Sequence, residues 1–400
     1  MDSTRPEHGF EPSVLKWARE KAEMSIETLA AKLGTHLKNI TPELIRNWEK
    51  GTDTLTPPQV KQLAEIYKRP IAVFLLASPP EENALPPDRR TIGSRGARPF
   101  SSETLLVIRK ARRVQQLTEE LEEELGTLKS FKYQKYEIDR DPVALAAKVR
   151  ADLSVTITDQ LRFRRYSDFF EHLRGKIEGT GVITLRSGGH NSFPREDARA
   201  LSFTDTQPYV ILINNKDTEG AKNFSLLHEY AHLLTREAGI CNDFTLFSST
   251  EGRVDKLEVF CNQFAAHFLV PEREFLAHRA LLGKTRVPLR ELDAVVKTLA
   301  MDFKVSRFVI LRRLLTSEFI GRENYKEKSE QWENEKPIAR KGGRSIPAQT
   351  AILNNGVIFS SLVLDAYKRE RLSYATASDY LGIKAKHIPT FEKLLKAYGR

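Results

Sequence analysis

Apolar residues in this chain recur mostly at helical spacing, interrupted once near the middle by short runs at strand spacing. Val14, Leu15, Trp17, Ala18 and Ala22 share one face of a helix over 13–23. Ser25 then stands where a helix needs a side-chain acceptor for its free amides. Leu29, Ala30 and Leu33 line the helix that follows, and Gly34 ends it. A third helix opens at Thr41-Pro42, with proline in the first turn where no amide hydrogen is required, and runs through Leu44, Ile45 and Trp48 to Lys50-Gly51; a fourth covers 58–67. Beyond a Pro- and Gly-rich stretch, Leu105, Leu106, Ile108, Ala111, Val114 and Leu117 stripe a long helix over 101–125, whose mostly acidic end suits a structural strut. Asp141-Pro142 starts a helix to Leu153, and 158–176 is expected to be one further helix carrying Leu161, Phe169, Phe170 and Leu173.

The period then changes. Residues 181–185, 200–203 and 209–214 are β-rich runs parted by Gly, Pro and Asp, and they predict a small mixed sheet; the last strand is expected beside the helix that follows, with an exposed edge able to hold an extended peptide. Helical spacing returns in Phe224 to Leu234, and again in Val254, Leu257, Cys261, Phe264, Ala265 and Phe268, where Pro271 marks the end. Residues 289–319 show a helix-turn-helix pattern, in which Arg307, Arg312 and Arg313 are either DNA contacts or, the favoured reading, part of a structural support. Residues 321–343 are charged and weakly apolar, as in a linker. The tail is helical again. The fold class is therefore α+β and mostly helical, divided into an all-α domain (8–78), a linker (79–100), a core (101–285), a helical segment (286–320), a charged linker (321–345) and a small helical C-terminal domain (346–400). A chain of 400 residues exceeds what one core usually supports, which agrees with several units.

Composition adds little to this division. A net charge of +10 permits nucleic acid or an acidic partner without deciding for either. Two cysteines, Cys241 and Cys261, make no disulfide framework, and burial as small apolar side chains is expected of both. The first residues lack the basic-then-apolar layout of a secretory signal, and the longest apolar run, 71–77, is too short to cross a bilayer. A soluble, cytoplasmic protein without a membrane partner is expected.

The chemistry sits in His228-Glu229-Tyr230-Ala231-His232. Residues four apart share a helix face, so His228 and His232 can offer two imidazole nitrogens to one metal ion, with Glu229 beside them. A catalytic zinc generally takes three protein ligands and keeps one position for water, so a third is expected downstream. Glu258 is the candidate. Asn262, one turn on along the same face, is placed to hydrogen-bond a ligating histidine and hold its tautomer. At about 100° per residue, His267 falls half a turn from Glu258 and Tyr230 points away from His228, so both stand outside the site. The five-residue pattern alone also arises by chance; the strands before it and the acid-bearing helix after it give it context. His190, in a Gly-Gly-His-Asn loop, is either near the site or a loop residue.

Two resemblances follow from these residues. The pair of motifs His228-Glu229-x-x-His232 and Glu258-x-x-Cys261-Asn262-x-Phe264-Ala265-Ala266-x-x-Leu269-Val270-Pro271 resembles the ImmA/IrrE family of zinc metallopeptidases, with cysteine at 261 where family members often carry alanine. Leu29-Ala30-Ala31-Lys32-Leu33-Gly34 followed by Ile45-Arg46-Asn47-Trp48-Glu49-Lys50-Gly51 resembles the helix-turn-helix domain of Cro and repressor-like regulators, although the turn over 35–40 is longer than usual. The first resemblance implies a zincin-like core in which His228, His232 and Glu258 bind Zn2+ and Glu229 is the general base. It also implies a protein substrate, a repressor of helix-turn-helix type, cut to release mobile-element or stress-response genes. The second makes Arg46 and Asn47 candidate base contacts, and Lys50, with Lys38 and Lys61, candidate phosphate contacts; the same residues also suit the solvated face of a bundle that binds protein. The rival function is a DNA-binding regulator, or a toxin-antitoxin-like partner, whose peptidase-like part binds or senses without cutting.

Overall fold

The computed structural model describes residues 10–22, 24–67, 69, 71–80, 100–127, 130–188, 192–237, 240–241, 256–335 and 346–398. Most of the expected linker at 79–100, the histidine at 190 and the side chain of Cys241 lie outside the described residues. No helix among those described is long and apolar enough to cross a membrane. The chain forms two compact units, one holding the described residues up to 80 together with 100–109, the other holding those from Lys110 onward.

In the first unit, helices α1 (Pro12–Lys21), α2 (Ile26–Gly34), α3 (Pro42–Lys50) and α4 (Pro57–Tyr67) and a 3-10 turn (Ile71–Leu75) close around Val14, Leu33, Ile45, Trp48, Val60 and Phe74. The cap foreseen from Ser25 is made, its hydroxyl accepting from the Thr28 amide (3.1 Å), and the Thr41 hydroxyl likewise accepts from the Leu44 amide (3.2 Å). The guanidinium of Arg19 grips Glu49 through two bonds (2.6 and 2.9 Å) and ties α1 to α3. The long turn between α2 and α3 is not slack, since Leu37 and Ile40 pack onto the same core.

The second unit takes the rest of α5 (Ser102–Leu125) and then α6 (Pro142–Asp152), α7 (Ile157–Arg162) and α8 (Tyr166–Glu178). One helix was expected over 158–176; the chain breaks at Phe163, which turns extended and sets its ring, tilted, against Phe169 (5.6 Å) and His172 (5.2 Å). Strands β1 (Val182–Arg186), β2 (Ala200–Phe203) and β3 (Tyr209–Ile213) make a mixed sheet, extended by a two-residue β4 (Ile240–Cys241), in the order β1-β3-β2-β4. The expected free edge on the last of the three predicted strands is not there: β3 is central, parallel to β1 on one side and antiparallel to β2 on the other. The strands are buried on nearly every residue, because helices cover the sheet.

Two helices dominate this unit, α9 (Glu219–Thr235) and α10 (Lys256–Leu269), followed by α11 (Glu272–Leu276), α12 (Leu289–Phe303) and α13 (Arg307–Thr316). Helix α9 is buried along nearly its whole length, packed by α8, α10, β2 and β3. Its first turn needs glycine for space, since a Cβ on Gly220 would stand 2.7 to 2.8 Å from backbone atoms of Val305 and Ser306. The end of α10 is held by long side chains from three other helices. Arg150 donates to the Phe268 carbonyl (2.6 Å), Gln160 to the Leu269 carbonyl (2.9 Å) and Arg313 to the Val270 carbonyl (3.2 Å). These are the carbonyls a helix end leaves without partners, and two of the donors bring positive charge to the negative end of the helix dipole. Arg307 and Arg313, weighed as DNA contacts, turn to their neighbours instead. Arg307 meets Glu335 (2.6 Å) and the Trp332 ring, while Arg313 meets Glu272 and donates to His267 Nε2 (3.1 Å).

The stretch expected to be a charged linker carries a helix, α14 (Arg322–Glu333). Trp332 is 6 % exposed and Tyr325 packs on the core, so two aromatics hold a segment whose charge suggested solvent. The tail, α15 (Pro347–Asn355), α16 (Val357–Lys368), α17 (Tyr374–Leu381) and α18 (Ile388–Tyr398), belongs to the same unit, with α15 lying along β1. A buried ion pair joins it to the core. Arg174 on α8 donates to Glu178 (3.2 Å), to the Thr184 hydroxyl (2.6 Å) and to the Leu353 carbonyl (2.5 Å), while Glu178 accepts from the first amides of α16, those of Val357 (3.1 Å) and Ile358 (3.4 Å).

Gly356 closes this joint at φ 78° and ψ 166°, a region open essentially to glycine, and a Cβ there would collide with Glu178 and come within 2.9 Å of Arg174 Nη2 and the Thr184 carbonyl. Gly356→Ala is expected to cost about 1–3 kcal/mol in denaturant unfolding; an unchanged midpoint would show that the joint carries no stability. His267 supplies a pH dependence. Burial and Arg313 push its pKa down to about 4 from an ordinary 6.5, so the unfolded chain binds a proton that the folded chain refuses. Its contribution is full above pH 6.5 and is lost as pH falls toward 4. His267→Gln, which can still accept from Arg313, is expected to flatten the decline in unfolding midpoint over that interval.

Candidate metal centre

Helix α9 begins at Thr218, whose hydroxyl accepts from the Ala221 amide (3.3 Å), and carries His228, Glu229 and His232 into the interior at zero exposure. Such depth follows from sequence: between the polar positions stand Phe224, Leu226, Leu227, Tyr230, Ala231, Leu233 and Leu234, apolar on every side, and a helix apolar all round is a buried one. Tyr230 points away from the histidines and donates to the Thr180 hydroxyl (3.2 Å).

The two Nε2 atoms of His228 and His232 lie 3.1 Å apart. Glu258, on α10, brings one carboxylate oxygen to 3.2 Å from His228 Nε2 and the other to 3.4 Å from His232 Nε2. The outer nitrogens are engaged: His228 Nδ1 lies 2.9 Å from Asn262 Oδ1, and His232 Nδ1 lies 2.8 Å from the Glu237 carbonyl. A carbonyl only accepts, so His232 Nδ1 carries the hydrogen; the amide oxygen of Asn262 assigns His228 in the same way. In neutral rings both Nε2 atoms are then lone pairs, aimed at each other and at a carboxylate. Three electron-pair donors so placed repel one another unless a cation stands between them. Zinc bound tetrahedrally, on bonds of about 2.0–2.1 Å, needs its ligand atoms about 3.3 Å apart, which is the spacing found. His228, His232 and Glu258 are also the group of metal-binding side chains whose ligand atoms all fall within 4.8 Å of one another among the described residues.

Electrostatics follow from this packing. Burial pushes the Glu229 carboxyl up from the ordinary range, against the pull of His232, His228 and the Ser202 hydroxyl. Glu258 also meets a burial penalty, but where the two rings are protonated their hydrogen bonds to it hold it well below the usual carboxylate range. Both oxygens of Glu229 and one of Glu258 are buried without a full hydrogen bond to any described residue. A cavity of about 280 Å3, lined by Lys135, Tyr136, Glu137, Ile138, Thr235, Glu237 and Leu257, adjoins the ends of α9 and α10.

The structure thus brings His228, Glu229, His232, Glu258 and Asn262 to one place. Arg46, Asn47 and Lys50 lie on α3, in the other unit, where Lys50 is exposed and Arg46 pairs with Glu27 (3.0 Å) and Glu43 (3.8 Å). His267 stands apart, against Arg313, and Cys261 is buried as a small apolar side chain. Two participants escaped the sequence reading. Ser202 had a weak signal, since strand alternation sets it on the opposite face from Leu201 and Phe203; the Glu237 carbonyl had none, because a backbone atom leaves no trace in residue type.

Comparison with known families agrees with this geometry. Residues 189–315 match the peptidase family model described as the IrrE N-terminal-like domain, and residues 15–74 match the model described as helix-turn-helix. The chain therefore couples a segment similar to helix-turn-helix domains to a segment similar to a peptidase domain. No curated protein and no solved structure matches it.

Asn262→Leu removes the acceptor on His228 Nδ1 while keeping the volume, and is expected to weaken zinc binding by about 10–100-fold. Competition against a chromophoric chelator measures it; wild-type affinity in the variant would exclude Asn262 from the centre.

Proposed function

We propose that the chain is a zinc-dependent endopeptidase of the ImmA/IrrE type, which cuts a helix-turn-helix repressor and so releases mobile-element or stress-response genes. The observation that carries this reading is the convergence of two imidazole lone pairs and a carboxylate beside a second, buried carboxylate. His228, His232 and Glu258 hold the ion, and Asn262 fixes the tautomer of His228. Bound there, zinc supplies Lewis acidity, polarising a carbonyl and making water a stronger acid at neutral pH.

Glu229 does the proton work. It neighbours the histidines without being part of the ligand triangle, and its burial raises its proton affinity, which suits a base that must take a proton from water and then release it. Hydrolysis adds water across the amide: as the new carbon–oxygen bond forms and the carbon–nitrogen bond breaks, Glu229 passes the collected proton to the departing amine. The closed, apolar surroundings of α9 keep other water from competing for that carboxylate.

The repressor-type domain suggests the substrate class, because a domain of the same kind can engage the target or share its DNA. A second reading, a DNA-binding regulator whose metal centre only senses, draws on the exposure of Lys50 on α3. It leaves the buried Glu229 between intact histidines without a purpose. Glu229→Gln is expected to keep zinc content at the wild-type level and to abolish cleavage of the helix-turn-helix repressor that the wild type cuts, scored by co-expression and gel analysis; persisting cleavage would sink the mechanism. His228→Ala should lose the metal, and equal zinc in that variant and the wild type would remove the ligand assignment.

A further inference from the structure

We propose that Arg236 is a positioning residue for the metal centre: its side chain holds the turn whose carbonyl orients His232. The proposal rests on the metal-site reading above. Helix α9 ends at Thr235, and Arg236 follows in the left-handed conformation, φ 58° and ψ 27°, the place where helices usually put glycine. A side chain resists that conformation, and it persists only where the surroundings over-determine it.

The turn binds His232 at both ends. The Glu237 amide donates to the His232 carbonyl (3.1 Å), and the Glu237 carbonyl accepts from His232 Nδ1 (2.8 Å). What holds the turn is the guanidinium of Arg236. One nitrogen donates to the Leu233 carbonyl (2.5 Å), another to the Tyr133 carbonyl (2.5 Å), and the plane lies 4.7 Å from the Phe131 ring centre and 4.9 Å from that of Tyr209. The segment it reaches is itself fastened to α9, since the Tyr136 amide donates to the Leu234 carbonyl (2.9 Å). A planar fork that bonds two carbonyls and lies against two aromatic rings is a task for arginine, not lysine.

The consequence falls on the ligand. With the Glu237 carbonyl fixed, His232 keeps its hydrogen on Nδ1 and presents the Nε2 lone pair toward His228 Nε2 and Glu258. Without the side chain that carbonyl can swing away, and the ring loses both its tautomer and its orientation. Glycine would serve better if the position were only a helix stop.

The test uses the full chain as wild type, Arg236→Gly and Arg236→Lys. Glycine accepts the left-handed conformation freely, so the turn can still form and only the side chain is lost. Three readouts are taken: zinc affinity by chelator competition, the visible spectrum of the cobalt-substituted protein, and the thermal midpoint without metal. Arg236→Gly is expected to bind zinc about tenfold more weakly or worse, with an altered cobalt spectrum, and Arg236→Lys to fall between it and wild type. Wild-type affinity and an unchanged spectrum in the glycine variant overturn the proposal. Weaker binding with an unchanged spectrum assigns the effect to stability and overturns it too. If the glycine variant does not fold, the lysine variant is judged by the same criteria. A wild type that binds no zinc removes the metal-site reading itself, a different failure from variants that match a zinc-binding wild type.

Discussion

Two imidazole nitrogens facing each other at 3.1 Å with their hydrogens on the far side form an arrangement that neutral rings cannot stabilise alone. Neither has a proton to give the other, and the carboxylate of Glu258 adds a third acceptor to the same small volume. A cation turns this repulsion into binding, which is why the geometry argues for a metal more strongly than the presence of the residues does. The surrounding structure serves that constraint by holding the rings still. Asn262 and the Glu237 carbonyl set the tautomers, and helix α9 is packed so completely that its side chains have nowhere else to turn. The order of dependence runs from packing to orientation to charge.

The third ligand comes from another helix, so the centre depends on where α10 stops as well as on what it carries. Arg150, Gln160 and Arg313 reach the last carbonyls of α10 from α6, α7 and α13, and Gln160 also binds the Phe303 carbonyl (2.7 Å) at the end of α12. Residues far apart in sequence thus fix the axial position of one helix to within a hydrogen bond. An error of one turn along α10 would carry Glu258 about 5 Å from the histidines and put a neutral amide or an apolar side chain in its place.

Which parts of this were legible in the sequence follows from how local each signal is. The cap at Ser25, the proline starts, and the apolar pattern of α9 depend on residues within a turn or two, and they could be read directly. The spacing of His228, Glu229 and His232 is likewise local. Placing Glu258 and Asn262 in the same site needed the expectation of a third ligand, because nothing between 232 and 258 states that the two helices meet. The break at Phe163 was invisible because its cause is ring packing in three dimensions, and α14 was misread because its charge outweighed two aromatics whose burial depends on a distant surface. Strand order failed for a similar reason. The sequence order of β1, β2 and β3 does not reveal that β1 returns to pair with β3, which takes away the edge expected there. In the tail, neither Glu178 nor Gly356 announces in sequence that a core carboxylate caps α16.

A buried centre of this kind has to be afforded by the rest of the fold. Removing carboxylates and imidazoles from water is costly, and only a large apolar surround with satisfied outer bonds offsets it. That surround is assembled from pieces on both sides of the site in sequence. The sheet and α8 support α9 from before it, while α10 and the turn at Val305 and Ser306 against Gly220 support it from after, and the helices of the tail brace β1 and α8 in turn. The ion pair of Arg174 and Glu178 joins the two sets, since Arg174 reaches the Thr184 hydroxyl on β1 and the Leu353 carbonyl on α15, and Glu178 the start of α16. The helical tail is therefore fastened to the elements behind the ligand-bearing helix, through β1 and α8, within the same compact unit.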